Sequence, residues 1–198
     1  MGETKRAAHI DRTTGETKIS LDLKLDEPGR GKISSGSGFL DHMLDLFQVH
    51  CGCTLDLQCD GDFHVDMHHS VEDIGICLGQ ALAQALGDKK GIERYGFYLL
   101  PMDESLARVA LDFSGRFALE FHAEFPSERI GNLDTEMVRH FFHSVAENAR
   151  MTLHVDLLRG GNTHHDIEGI FKAFARAVAM AVSPARRTQG LPSSKGVL

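Results

Sequence analysis

The chain has 198 residues, 42% of them hydrophobic and 25% charged, which suits one substantial domain or two small, tightly joined halves. A formal net charge of −7 argues against a nucleic-acid surface, although a local Arg/Lys cluster can still hold a phosphorylated small molecule. No apolar run reaches bilayer-spanning length and the Met1–Arg6 start lacks a signal core, so a cytoplasmic protein without membrane contact is expected.

In chain order, period-2 alternation predicts strands near 6–11 and 17–25, and 3.6-residue spacing predicts a helix near 39–50. A strand near 53–60 and a helix near 69–87 follow. Gly87, Gly91 and Gly96 then break the pattern. Beyond them come strands near 97–101, 105–113 and 117–123, a helix near 134–149, a strand near 151–158 and a helix near 165–182. The same order of elements occurs twice. Residues 1–92 therefore read as a first half-repeat and 93–198 as a second, together one compact domain. The fold class is α+β. Each half alone would leave a helix stripe exposed, so four central helices are expected between two mostly four-stranded mixed sheets.

The repeat is sharpest at the histidines, of which there are 12. His68-His69-Ser70-Val71-Glu72 matches His164-His165-Asp166-Ile167-Glu168 at an offset of 96, and His42 matches His140 at an offset of 98. More loosely, Gly15-Glu16-Thr17 pairs with Asp103-Glu104-Ser105, each ahead of an alternating strand. On a helix, residues four apart share a face, whereas adjacent residues diverge by about 100°. Each motif thus offers one histidine to one cation and its neighbour to another, with His42 and His140 completing the shells. Six His and two Glu suit two cations. A nitrogen and oxygen set fits manganese, iron or zinc without choosing among them, and a thiolate-rich structural zinc site is disfavoured.

Cys51, Cys53, Cys59 and Cys77 read as ordinary buried thiols. His50 follows His42 by two helical turns and is a candidate substrate contact. His154, in an alternating strand, is a candidate outer partner of the ligands. His9, His64, His122 and His143 lack a matched counterpart.

The ordered blocks FLDHML (39–44), DMHHSVEDIG (66–75), PMDES (101–105), DFSGR (112–116), NTHHDIE (162–168), FKAF (171–174) and PSSKG (192–196) resemble the imidazoleglycerol-phosphate dehydratase family over nearly the whole chain. The resemblance implies two Mn(2+) per site, held by His42, His68, His69, Glu72, His140, His164, His165 and Glu168. It also implies substrate contacts from Glu16, Arg94, Arg116, Ser194 and Lys195. It further implies a homo-oligomeric shell of 24 subunits built from trimers, with sites at subunit boundaries. Phe117 departs from the proline more usual after Ser-Gly-Arg, without touching a ligand.

The activity so implied is a lyase reaction of histidine biosynthesis, D-erythro-imidazoleglycerol phosphate to imidazoleacetol phosphate. With each ring nitrogen on one metal, the substrate ring is held as an imidazolate and expels hydroxide to give a diazafulvene-like intermediate. Glu16 is the expected general acid/base. Arg94, Arg116 and Lys195 are expected to grip the phosphate, with the 192–196 tail closing over it. Two rivals stand beside this: a dinuclear metallohydrolase of phosphate esters, and a non-enzymatic metal-storage shell.

Overall fold

In the segment around residue 20, Ile19, Leu21 and Leu23 are buried while Lys18, Ser20 and Lys24 face solvent. That alternation makes Thr17–Lys24 a strand with one dry face, and the same logic builds both sheets. The computed structural model describes residues 6–185 and 190–193. In chain order its first half comprises β1 (Ala7–Thr13), β2 (Thr17–Lys24), β3 (Ile33–Ser34), α1 (Gly38–Cys51), β4 (Thr54–Gly61) and α2 (His68–Leu86). The second comprises β5 (Tyr95–Met102), β6 (Ser105–Asp112), β7 (Ala118–His122), β8 (Arg129–Ile130), β9 (Leu133–Asp134), α3 (Glu136–Ala149), β10 (Thr152–Arg159) and α4 (Thr163–Val182).

The two four-stranded sheets run β1-β2-β4-β3 and β5-β6-β10-β7. In each, the last pairing is parallel and the others antiparallel. Both sheets are four-stranded and mixed, as the sequence predicts, and their strand orders correspond. Two features escape the periodicity: β3, and the β8–β9 hairpin. Each of these strands has two residues, too few to alternate.

α2 lies on β1 and β2 and packs against α3, while α4 lies on β5 and β6 and packs against α1. The four helices form the middle of the molecule, and each close helix pair joins one half to the other. Gly75 and Gly79 of α2 allow this approach. A Cβ on Gly75 would stand 2.8 Å from Ser144 Cβ, and one on Gly79 only 2.6 Å from the Val145 carbonyl. Phe47 of α1 stacks on Phe174 of α4 across the halves, Phe141 and Phe142 of α3 pack against Phe171 and Phe174 of α4, and all five are within 2% of full burial. Each contributes about 1.5–3 kcal/mol through apolar burial, so the seam is a core and not a sliding surface. All four cysteines are buried and unbridged. Among the described residues, no helix is long and apolar enough to cross a membrane.

Candidate metal centre

Both histidine motifs open a helix, and an acidic or amide side chain two residues upstream fixes each start. Asp66 Oδ1 accepts the His68 N–H at 2.7 Å, and Asn162 Oδ1 accepts those of His164 and His165 at 2.9 and 3.4 Å. These bonds satisfy N–H groups that the first turn leaves without partners, and so set the entry angle of the histidine pair. Within each pair the rings diverge. His68 and His69 have centroids 6.1 Å apart at 68°, and His164 and His165 6.2 Å apart at 85°. The fork is real.

The first prong of each fork meets the matched histidine from the other half. His42 on α1 and His164 on α4 both face Glu168, with Nε2 to Oε2 distances of 3.2 and 3.0 Å. These three donors lie within 4.8 Å of one another. Nitrogen and oxygen ligands sit about 2.0–2.2 Å from a small divalent cation, so one shell spans nearly that distance. The group fits such a cation. Phe39 packs edge-on against His164 at 5.1 Å and holds the ring upright. Burial works against the Glu168 carboxylate, but hydrogen bonds from Lys172 and His42 outweigh it and hold its pKa below the ordinary value. Lys172 takes the other oxygen, Oε1, at 2.5 Å.

The equivalent group in the first half joins α2 and α3. His68 and His140 have ring centroids 5.0 Å apart, and Glu72 lies one turn after His68. Here the carboxylate is exposed, and Ile76 stands where Lys172 stands in the second half. The two groups share a plan but differ in charge.

The second prongs point elsewhere. His69 Nδ1 meets Asp62 Oδ2 at 2.9 Å, and its Nε2 lies 3.6 Å from Glu16. His165 Nδ1 meets the two oxygens of Glu104 at 3.1 and 3.3 Å. The hydrogen bond that His69 donates to Asp62 raises the pKa of His69 above its ordinary value. Of the eight expected ligands, the structure therefore brings together His42, His164 and Glu168, and separately His68 and His140. His69 and His165 stand among carboxylates from the strand ends.

The expected substrate contacts are scattered. Arg94, 9% exposed, forks onto Asp112 at 2.6 and 3.0 Å and donates to the Pro192 carbonyl at 2.7 Å. It thus ties down the start of the 192–196 segment. Arg116 is exposed. Ser194 and Lys195 lie outside the described residues. His50 is half-buried, and desolvation lowers its pKa, with Arg176 and Lys172 adding to the effect. His154 is exposed on β10 between buried Leu153 and Val155, and so faces away from the helices. A cavity of about 350 Å³ opens beside His164, bounded by Pro126, Ile130 and Asn162. Two larger cavities, of about 640 and 700 Å³, touch none of the motif histidines.

Sequence reasoning assigned no role to Lys172, Asp62 or Glu104. Lys172 was findable, since a lysine four residues after a glutamate on a helix is a standard pairing. Asp62 and Glu104 reach their histidines through tertiary structure and leave no local signal.

The family model for imidazoleglycerol-phosphate dehydratase matches residues 35–178. The chain is 54% identical over 194 residues to the imidazoleglycerol-phosphate dehydratase of Dechloromonas aromatica, covering 98% of this chain and 100% of that protein. It is 53% identical over 193 residues to that of Desulforamulus reducens, covering 98% of each. Among solved structures, the Staphylococcus aureus enzyme superposes with a TM-score of 0.83 at 46% identity, covering 90% of this chain and 99% of that one. The Pyrococcus furiosus enzyme, solved with the compound (S)-C348, gives a TM-score of 0.82 at 31% identity, covering 96% and 100%.

Proposed function

This chain belongs to the imidazoleglycerol-phosphate dehydratase family, and from that premise we propose that its histidine forks carry out the dehydration of D-erythro-imidazoleglycerol phosphate to imidazoleacetol phosphate. It is a lyase of histidine biosynthesis. The observation that carries the finer reading is the doubled group: His42 with His164 and Glu168, and His68 with His140, from equivalent places in the two halves.

Two divalent cations, manganese in this proposal, would be held by His42, His68, His69, Glu72, His140, His164, His165 and Glu168. When bound, they would supply the Lewis acidity that lets an imidazole ring give up its N–H and become electron-rich. With its N–H given up, the electron-rich substrate ring would expel hydroxide from the adjacent carbon, which leaves as water with the ring's own proton, giving a diazafulvene-like intermediate. Glu16, half-exposed beside His69 Nε2, takes the proton from the following carbon, and the resulting enol tautomerises to the ketone. His50, Arg116, Ser194 and Lys195 complete the substrate contacts. Arg94 has three of its five N–H groups committed to Asp112 and Pro192, so its part is to orient that tail as well as to face phosphate.

His69 and His165 stand apart from the groups built within one chain, which favours completion of each shell by a neighbouring subunit. On this proposal the protein is a homo-oligomer with boundary sites, a 24-subunit shell of trimers in the cytoplasm. Incubation with imidazoleglycerol phosphate tests the function. An enolisable ketone should accumulate with no inorganic phosphate; release of phosphate instead would make the protein a metallohydrolase.

A further inference from the structure

Glu16 and Glu104 occupy equivalent places, each immediately before the second strand of its sheet, β2 or β6. Yet they meet opposite nitrogens of the equivalent histidines. Glu16 lies 3.6 Å from His69 Nε2, whereas Glu104 sits on His165 Nδ1 at 3.1 Å. In the first half the Nδ1 position is already taken by Asp62, at 2.9 Å.

Asp62 is the residue that follows β4, and the residue that follows β10 is Gly160. A Cβ at Gly160 would lie 2.5 Å from Asp166 Oδ1. Asp166 is fully buried at 0% exposure and is fixed by hydrogen bonds from the Ser105 hydroxyl and the Gly161 N–H. The second half therefore has no room for a carboxylate at Gly160, the place equivalent to Asp62. Glu104 fills the role from the opposite turn.

Resting on the function proposed above, we infer that Asp62 and Glu104 are paired positioning residues that fix the Nδ1 proton of His69 and His165 and so present each Nε2 to a divalent cation. A neutral imidazole carries one N–H, and a carboxylate acceptor at one nitrogen leaves the lone pair on the other. Asp62 suits the task. Its Oδ1 is buried without a hydrogen-bond partner among the described residues, so the carboxylate serves His69. The same assignment explains why Glu16, and not Glu104, is the free acid/base. Asp62 relieves Glu16 of the anchoring duty that Glu104 cannot escape. It also explains the tight Asp103, Glu104 and His165 group: the nitrogen facing those carboxylates is Nδ1, so the group is an anchor and not a third cation site.

Asp62→Asn, Glu104→Gln and Glu16→Gln separate these roles. Mn(2+) affinity is read from the electron paramagnetic resonance of free ion, and ring tautomers from nitrogen-15 shifts of histidine in metal-free protein. Asp62→Asn and Glu104→Gln should each weaken Mn(2+) binding about 10–100-fold. Each should also shift its own histidine, His69 or His165, away from the Nδ1–H form. Most of the turnover lost at limiting Mn(2+) should return at saturation, and Asp62→Glu should recover part of the affinity. Glu16→Gln should leave affinity and both tautomers as in the wild type. Unaltered affinity and tautomers in the Asp62 and Glu104 variants overturn this inference alone; a wild-type chain that takes up no Mn(2+) overturns it together with the proposed function. Glu104 sits on an exposed turn and the tautomer readout needs no cation, so the test stands even if the Asp62 variant misfolds.

Discussion

Glu168→Gln should remove one of the two bound cations and lower kcat/KM by more than roughly 100-fold, the upper end for losing an outer partner of a metal ligand. The substitution keeps the side chain's shape but withdraws the charge that His42, His164 and Lys172 converge on. Because the Glu168 side chain is only 9% exposed, a neutral amide there leaves Lys172 without its anion in a poorly solvated place. Some loss of stability should accompany the loss of metal. Calorimetric Mn(2+) titration separates the effects: the folded variant should bind about one equivalent per chain where the wild type binds about two. Two equivalents in the variant, with wild-type turnover, would remove Glu168 from the site.

Glu16→Gln should act on the chemical step instead. Losing a general base typically costs about 10²–10⁴-fold in kcat, and the Glu16 side chain lies at the surface, outside the core. Its side chain is 53% exposed and its near neighbour is the open nitrogen of His69. Stopped-flow or steady-state turnover on imidazoleglycerol phosphate should therefore collapse while Mn(2+) uptake and thermal stability stay put. Normal turnover with intact metal would defeat the assignment.

The contrast between these residues shows which parts of the molecule the sequence could disclose. Strands and helices were legible because burial writes itself into periodic positions, as in Ile19, Leu21 and Leu23. The forks were legible because helical geometry alone separates His68 from His69 and His164 from His165. The crossing of halves was less so. Helix-on-helix packing follows from exposed stripes, but which helix meets which depends on close approach at Gly75 and Gly79, and on Phe side chains far apart in the chain.

Contacts from strand ends were invisible. Asp62 and Glu104 find their histidines only after the sheets form, and a lone carboxylate has no period to betray it. The resemblance implies Arg94 as a phosphate contact, whereas its bidentate bond to Asp112, made from backbone with φ of 72°, is announced by no local pattern. The two-residue strands β3, β8 and β9 were lost for the simpler reason of length.

Metal reconstitution bears most directly on the claim that the forks clasp cations for this reaction. Protein stripped by chelation should form no ketone from imidazoleglycerol phosphate, and stepwise Mn(2+) should restore the rate until about two equivalents per chain are bound. Full ketone formation by protein shown to contain no transition metal would contradict it.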